Sequence, residues 1–375
     1  MKKLNLKWLS IVIFIIAGVL CGVVISDYMF NIDEDVLEQM SIWQELVQLL
    51  KLILLMYIVY FVSIIIHEGG HLIFGLMTGY QFSSFRIFNI MFIKQNGKIR
   101  IKKLSVAGTG GQCLMSPPEL VDGRIPCVLF NMGGVILNTI TSIVFIAIYL
   151  ISPWRLLSLT MAMAAIMGIA SALVNGIPMQ SRSINNDGFN TLLLSRNKNA
   201  SKAFGLQLKM NNEMTKGVRI KDMPEEWFET IDDKSDNSFI TSIKVFYCNR
   251  LMDMHQFEQA KEEIKRILDS NIELVGIHKY LLICDYIYCE LIDGNVAKAE
   301  ELYTDDLQKF MKSMKNFPSV LRTKYTYELL HNHDDKQADK LRKIFEIVAE
   351  KYPYPKDVEL EGELMDIAKY TRKGE

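Results

Sequence analysis

The residues best able to do chemistry in this chain stand in the stretch SIIIHEGGHLIFGLM, residues 63–77: His67, Glu68 and His71 inside an otherwise apolar run. On a helix, positions i and i+4 share a face one turn apart. His67 and His71 can therefore present two imidazole nitrogens to one tetrahedral zinc, with Glu68 beside them as a general base for an attacking water. Ionisable side chains are costly in an apolar span and are functional by default. A buried structural His–Glu pair is the bland alternative. A hydrolytic zinc site also needs a third ligand and an open fourth position. No histidine occurs between His71 and His255, so an acid is the natural candidate. In VNGIPMQSRSINNDGFN, residues 174–190, Asn175 and Pro178 end an apolar run and Asp187-Gly188 follows. Asp187 is the expected third ligand, and Asp122, before the third apolar run, is the alternative.

The elements that must position these groups are apolar helices. The chain has 375 residues, half of them hydrophobic, and a net charge of -1. Residues 1–180 hold long apolar runs, whereas residues 196–375 are rich in Lys, Glu and Asp and hold none. Four runs, near 8–26, 52–77, 127–151 and 154–177, reach the ~20 residues that a membrane-spanning helix needs. Lys2, Lys3 and Lys7 precede the first, but its apolar core is too long for a signal peptide and no small-residue cleavage site follows, which predicts a retained anchor. The segment 27–46 carries Asp27, Asp33, Glu34 and Asp35 and no Lys or Arg, while 80–126 carries Arg86, Lys94, Lys98, Arg100, Lys102, Lys103 and Arg124. The positive-inside rule then places the N-terminus, the 80–126 segment and the C-terminal half in the cytoplasm. His71 and His67 precede Met77, the cytoplasmic end of the span, by six and ten residues. At 1.5 Å per residue that is roughly 10–15 Å of depth. The neutral balance gives no sign of a nucleic-acid partner. The six cysteines have neither zinc-ribbon nor disulfide-framework spacing, so reduced core thiols are expected.

His67-Glu68-Gly69-Gly70-His71 followed by Asn175-Gly-Ile-Pro178 and Asp187-Gly188 resembles the site-2 protease family of intramembrane zinc metalloproteases. The family pairs HExxH in one membrane helix with Asn-x-x-Pro and Asp-Gly in a later one. NMGGVILN, residues 131–138, is similar to the family's small-residue segment ending in Asn, with Gly134 and Asn138 in place and Val135 where proline is usual. The resemblance covers about residues 50–190, and the interval from Pro178 to Asp187 is several residues longer than the common pattern. It implies one zinc per chain held by His67, His71 and Asp187, with Glu68 catalytic. Asn138 and Asn175 are then candidates to position substrate, with helix-packing hydrogen bonds the alternative for both.

Between the second and third runs, Asn96-Gly97 separates two alternating segments in FRIFNIMFIKQNGKIRIKKLSV, residues 85–106, a strong hairpin signal. The resemblance implies a membrane-associated β-hairpin whose edge adds a strand of substrate; a basic hairpin at anionic headgroups is the companion reading. AGTGGQCLMSPP, residues 107–118, is expected to be a flexible or re-entrant loop. Residues 196–238 read as a linker with one short helix. Beyond it, FEQAKEEIKRIL, VAKAEELYTDDL and DKQADKLRKIFE align on Ala260, Ala299 and Ala338, spaced 39 residues apart both times. Each follows another amphipathic helix, which resembles tetratricopeptide repeats (period about 34) with an insertion in each unit. Tyr280, Tyr286 and Tyr288 are expected in the core, and HNHDD at 331–335 as an inter-helix turn.

The sequence thus predicts a multi-pass α-helical membrane protein with about four spans and a hairpin, followed by an all-α helical-repeat domain. The expected divisions are 1–195 (metalloprotease), 196–238 (linker) and 239–375 (cytoplasmic repeats). The expected activity is zinc-dependent hydrolysis of transmembrane or exported peptides in the cell membrane, with the bilayer and a cytoplasmic protein as further partners. The alternative is an inactive, membrane-anchored repeat scaffold.

Overall fold

The computed structural model describes residues 7–30, 40–106, 109–180, 185–229, 237–270 and 274–374. The described chain forms two compact units. The first comprises the described residues up to Gly79, those of 126–180, and Asn185–Arg196; the second comprises Tyr80–Ile125 and the described chain from Asn197 onward.

Four helices of the first unit are long and apolar enough to cross a membrane: α1 (Lys7–Phe30), α2 (Ile42–Met77), α3 (Cys127–Ile151) and α4 (Arg155–Gly176). Large apolar side chains such as Ile11, Val19, Leu54, Tyr57, Ile143 and Leu150 point outward along them. An apolar surface of that extent far exceeds what monomeric soluble proteins expose, and a bilayer is the solvent that suits it. The last two helices fall within a residue of their expected bounds. The second does not: it begins at Ile42, ten residues before the expected span. Ser41 and Gln44 form a capping box there, with the Ser41 amide donating to Gln44 Oε1 at 2.8 Å, and no breaker interrupts the chain until Thr78-Gly79. The first helix likewise runs on to Phe30, where Arg155 of α4 donates to the Tyr28 carbonyl at 2.9 Å. Cys21, Leu52, Val59, Leu159 and Met163 pack α1, α2 and α4 into one apolar cluster. A fifth helix, α5 (Asp187–Arg196), completes the unit.

In the second unit, β1 (Gln81–Ile87), β2 (Ile90–Gln95), β3 (Lys98–Lys103) and β4 (Gly111–Ser116) form an antiparallel sheet in the order β3-β2-β1-β4. The Asn96-Gly97 hairpin is present, both turn residues having positive φ (50° and 74°) as a two-residue turn requires. It is half of a four-stranded sheet rather than a free-standing hairpin. The segment expected to be a flexible or re-entrant loop supplies β4: Gly111–Ser116 pairs with β1, and Cys113 and Met115 are buried. Met91 and Ile93 of β2, both 0% exposed, pack on Tyr352 and Tyr354 of the C-terminal region. The Lys103 amide and Gln95 Nε2 donate to the Lys351 and Pro353 carbonyls at 3.2 and 2.9 Å.

Residues 196–238, expected to be a linker, hold an 18-residue helix, α6 (Lys198–Thr215), and two 3-10 turns. The Asn197 side chain caps α6 by accepting from the Ala200 amide. Ala200, Ala203 and Leu208 bury its inner face, and the polar outer face disguised the helix as linker. Beyond it come α7 (Ser238–Asp253), α8 (Phe257–Asp269), α9 (Gly276–Ile292), α10 (Val296–Leu302), α11 (Asp305–Ser313), α12 (Pro318–Leu330), α13 (Asp335–Ala349) and α14 (Pro355–Gly374). Ala260, Ala299 and Ala338 lie in α8, α10 and α13 and are 0%, 0% and 1% exposed, each the small residue that lets its helix pack closely. Tyr286 and Tyr288 are buried, and Tyr280 stacks on Phe310. In the turn at 331–335, Asp334 caps α13 by accepting from the Gln337 amide. All six cysteines are free and buried.

Candidate metal centre

The site begins with a contact that side chains would forbid. A Cβ on Gly70 of α2 would lie 2.2 Å from the Gly133 carbonyl oxygen of α3, and one on Gly133 would lie 2.5 Å from the Gly70 oxygen. A Cβ on Gly134 would sit 2.5 Å from the His67 ring. The two helices therefore touch backbone to backbone, and His67 lies flat against a gap in the α3 surface. Gly69, on another face, would meet only Leu137 Cδ2 at 3.9 Å.

This approach brings α3 groups to the α2 histidines. His71 Nδ1 donates to the Phe130 carbonyl at 2.8 Å. That bond puts the ring proton on Nδ1 and leaves a lone pair on Nε2. Asn138, fully buried, places its amide Nδ2 3.3 Å from His67 Nδ1 and 2.9 Å from Ser171 Oγ of α4, while its Oδ1 has no partner. The two ends of an amide are interchangeable in shape. Turned over, Asn138 Oδ1 accepts from His67 Nδ1–H and from Ser171 Oγ–H. Both His67 and His71 then carry free Nε2 lone pairs.

Asp187 arrives from α5. Asn186 fixes it: its Nδ2 donates to the Val174 and Ile177 carbonyls at 2.7 and 2.6 Å, and its Oδ1 accepts from the Met179 and Phe189 amides at 2.9 and 3.0 Å. Asn186 thus closes the excursion after Pro178 and caps α5, so the long Pro178-to-Asp187 interval still delivers Asp187. Residues 181–184 of that interval lie outside the described residues. Gly188 completes the seat, because a Cβ there would lie 2.2 Å from the Gly176 oxygen at the end of α4.

The outcome is a small triangle. Asp187 Oδ2 lies 3.1 Å from His67 Nε2 and 3.4 Å from His71 Nε2, and the two Nε2 atoms are 3.2 Å apart. Tetrahedral ligands about 2.0–2.1 Å from a zinc ion are separated by about 3.3–3.4 Å, close to these edges. Asp187 Oδ2 is buried and has no hydrogen-bond partner. Three acceptor atoms facing one point need a cation or protons between them, and the donor set suits zinc.

Glu68, 8% exposed, adjoins His67 on α2. Asn175 is not drawn to the triangle: its Nδ2 donates to the Ser171 carbonyl, one turn back in its own helix, at 3.0 Å. Asn138 meets His67 and Ser171, a structural placement that favours ligand orientation over direct substrate contact. Asp122 is exposed in a turn with φ 51° and is absent from the cluster. Four contributors escaped the sequence reading: Phe130, Gly133, Ser171 and Asn186. Of these, Asn186 had a local signal, an Asx cap immediately before Asp187-Gly188.

Gly70→Ala forces α2 and α3 apart, because its Cβ would lie 2.2 Å from the Gly133 oxygen. Zinc content and thermal melting should fall with it, whereas Gly69→Ala keeps both and gains up to ~1 kcal/mol of helix propensity. Asn138→Leu should weaken zinc binding by roughly 10–100-fold in a chelator competition; Asn138→Asp, which still accepts from His67 Nδ1–H, should retain most of it. Comparisons with family models, curated proteins and solved structures gave no match to this chain.

Proposed function

We propose that this chain is an intramembrane zinc metalloprotease that hydrolyses transmembrane or membrane-associated peptides near the cytoplasmic face. The observation that carries the proposal is the triangle of His67 Nε2, His71 Nε2 and Asp187 Oδ2, with edges of 3.1–3.4 Å, built on helices apolar enough to cross a membrane. The likeness of HExxH, Asn-x-x-Pro and Asp-Gly to the site-2 protease pattern supports the same reading.

Bound zinc supplies a Lewis acid that activates water and polarises the scissile carbonyl. The remaining work falls to the chain. Glu68 accepts the proton of the attacking water and returns it to the leaving amine. Phe130 and Asn138 hold the two imidazoles in the tautomers that leave Nε2 free, and Asn186 holds Asp187 in place. The sheet supports the delivery of substrate: β3 is an edge strand with Ile99 and Ile101 exposed among four basic residues, suited to anionic headgroups or to pairing with an extended peptide. The basic segment 80–126 and the charged C-terminal unit are cytoplasmic in this reading, as the positive-inside rule requires. Candidate substrates are the membrane stub of a signalling protein or a short exported or signal peptide.

Glu68→Gln keeps the ligands and removes the base. Cells carrying that variant should accumulate particular transmembrane or signal-peptide fragments that wild-type cells cleave, read by peptide mass spectrometry of the membranes. Identical profiles from two folded, zinc-loaded proteins would replace the protease with a non-catalytic scaffold.

A further inference from the structure

The second unit encloses a cavity of about 250 Å³ among α6, α7, α9, α12 and α14. That is just below the ~300–1,000 Å³ of small-molecule pockets, and it accommodates one or two side chains rather than a large ligand. Its charges do not balance. Asp285, Asp357 and Glu361 line it against one guanidinium, Arg322. Arg322 is fully buried and already committed: it ion-pairs with Asp285, donates Nε to Glu361 at 2.8 Å and donates Nη1 to the Cys284 carbonyl at 3.2 Å. His278, held down to about 4 by burial, adds no positive charge at neutral pH.

Asp357 is the group left over. It stands in the first turn of α14 and, among the described residues, makes neither a side-chain hydrogen bond nor an ion pair. Burial first, then the charges of Glu361 and Asp253, push its carboxyl up to about 8, the mark of an acid that lacks a cation. Phe246, Phe317, Tyr352 and Tyr354 give the same cavity aromatic walls. Asn211 and Asn249 also line the cavity, and among the described residues their side-chain amides have no hydrogen-bond partner. An amide offers a donor and an acceptor side by side, the complement of a peptide group.

We propose that this cavity binds a peptide segment through a Lys or Arg side chain seated against Asp357, with the aromatic walls for one neighbouring apolar side chain and the two asparagines for its backbone. Lys and Arg flank membrane spans on the cytoplasmic side, so membrane peptides carry this chemistry; identifying the ligand as such a flank rests on the function proposed above, whereas the binding itself does not.

The test uses the full chain with Glu68→Gln, in nanodiscs of neutral phosphatidylcholine, titrated with a fluorescent Ala-Phe-Lys-Phe-Ala peptide and read by anisotropy. Saturable binding is expected. Replacing the peptide's Lys with norleucine, or making Asp357→Asn in the protein, should weaken it at least tenfold, and Asp357→Glu should restore most of it. Equal binding of the norleucine peptide, or an undiminished affinity in a folded Asp357→Asn protein, would overturn the proposal. So would displacement by spermidine at the peptide's own concentration, which would mean that a small polycation is the occupant. Zinc content, measured on the same samples, reports on the metal centre separately, so failure of one reading is not mistaken for failure of the other.

Discussion

Everything at the candidate metal centre depends on one steric constraint, the contact of α2 and α3 backbone at Gly70 and Gly133. A Cβ on Gly70 would lie only 2.2 Å from the Gly133 carbonyl oxygen, well inside van der Waals contact. Within a bilayer no hydrophobic gradient drives helices together, so close packing and interhelical hydrogen bonds must do so. The glycines permit the approach, and the hydrogen bonds from His71 to Phe130 and between His67 and Asn138 follow from it. The same device recurs where Gly188 meets the end of α4 at Gly176, which brings Asp187 to the other two ligands. Glycine-to-backbone seams on two sides thus fix three side chains that come from sequence positions far apart.

Polar groups placed this deep have to be satisfied, and here they form a chain. Ser171 is shared by Asn138 and Asn175, Asn138 reaches His67, and His67 reaches Asp187. Orienting partners of this kind are as much a part of a metal site as its ligands. They also explain why asparagines stand in otherwise apolar helices: Asn175 secures its own helix near Pro178, Asn138 bridges three helices, and Asn186 closes the turn that precedes Asp187.

How much of this was legible in the sequence follows from the range of each interaction. HExxH declares itself by helical spacing, the Asn96-Gly97 turn by its backbone preference, and Ala260, Ala299 and Ala338 by their repeat; each is a local signal. Asp187 was legible from residues 175–188 even across a lengthened interval. By contrast, β4 was hidden because Gly111–Ser116 is a strand only through pairing with β1, whose partner residues stand 24 to 35 positions earlier. The extension of α2 to Ile42 and the helix α6 were missed for a different reason: a strong hydropathy boundary drew attention away from the caps at Ser41 and Asn197. Gly133 and Ser171 carry no local signal at all, since only the packing of another helix gives them work.

The central claim is that His67, His71 and Asp187 hold a single zinc ion. X-ray absorption at the zinc edge on the purified full-length protein tests it most directly. The account predicts one zinc per chain with two imidazole nitrogens and oxygen ligands at about 2.0–2.2 Å, with the oxygen contribution reduced in Asp187→Ala. Substoichiometric zinc, a sulfur shell near 2.3 Å, or a spectrum unchanged by Asp187→Ala would contradict it.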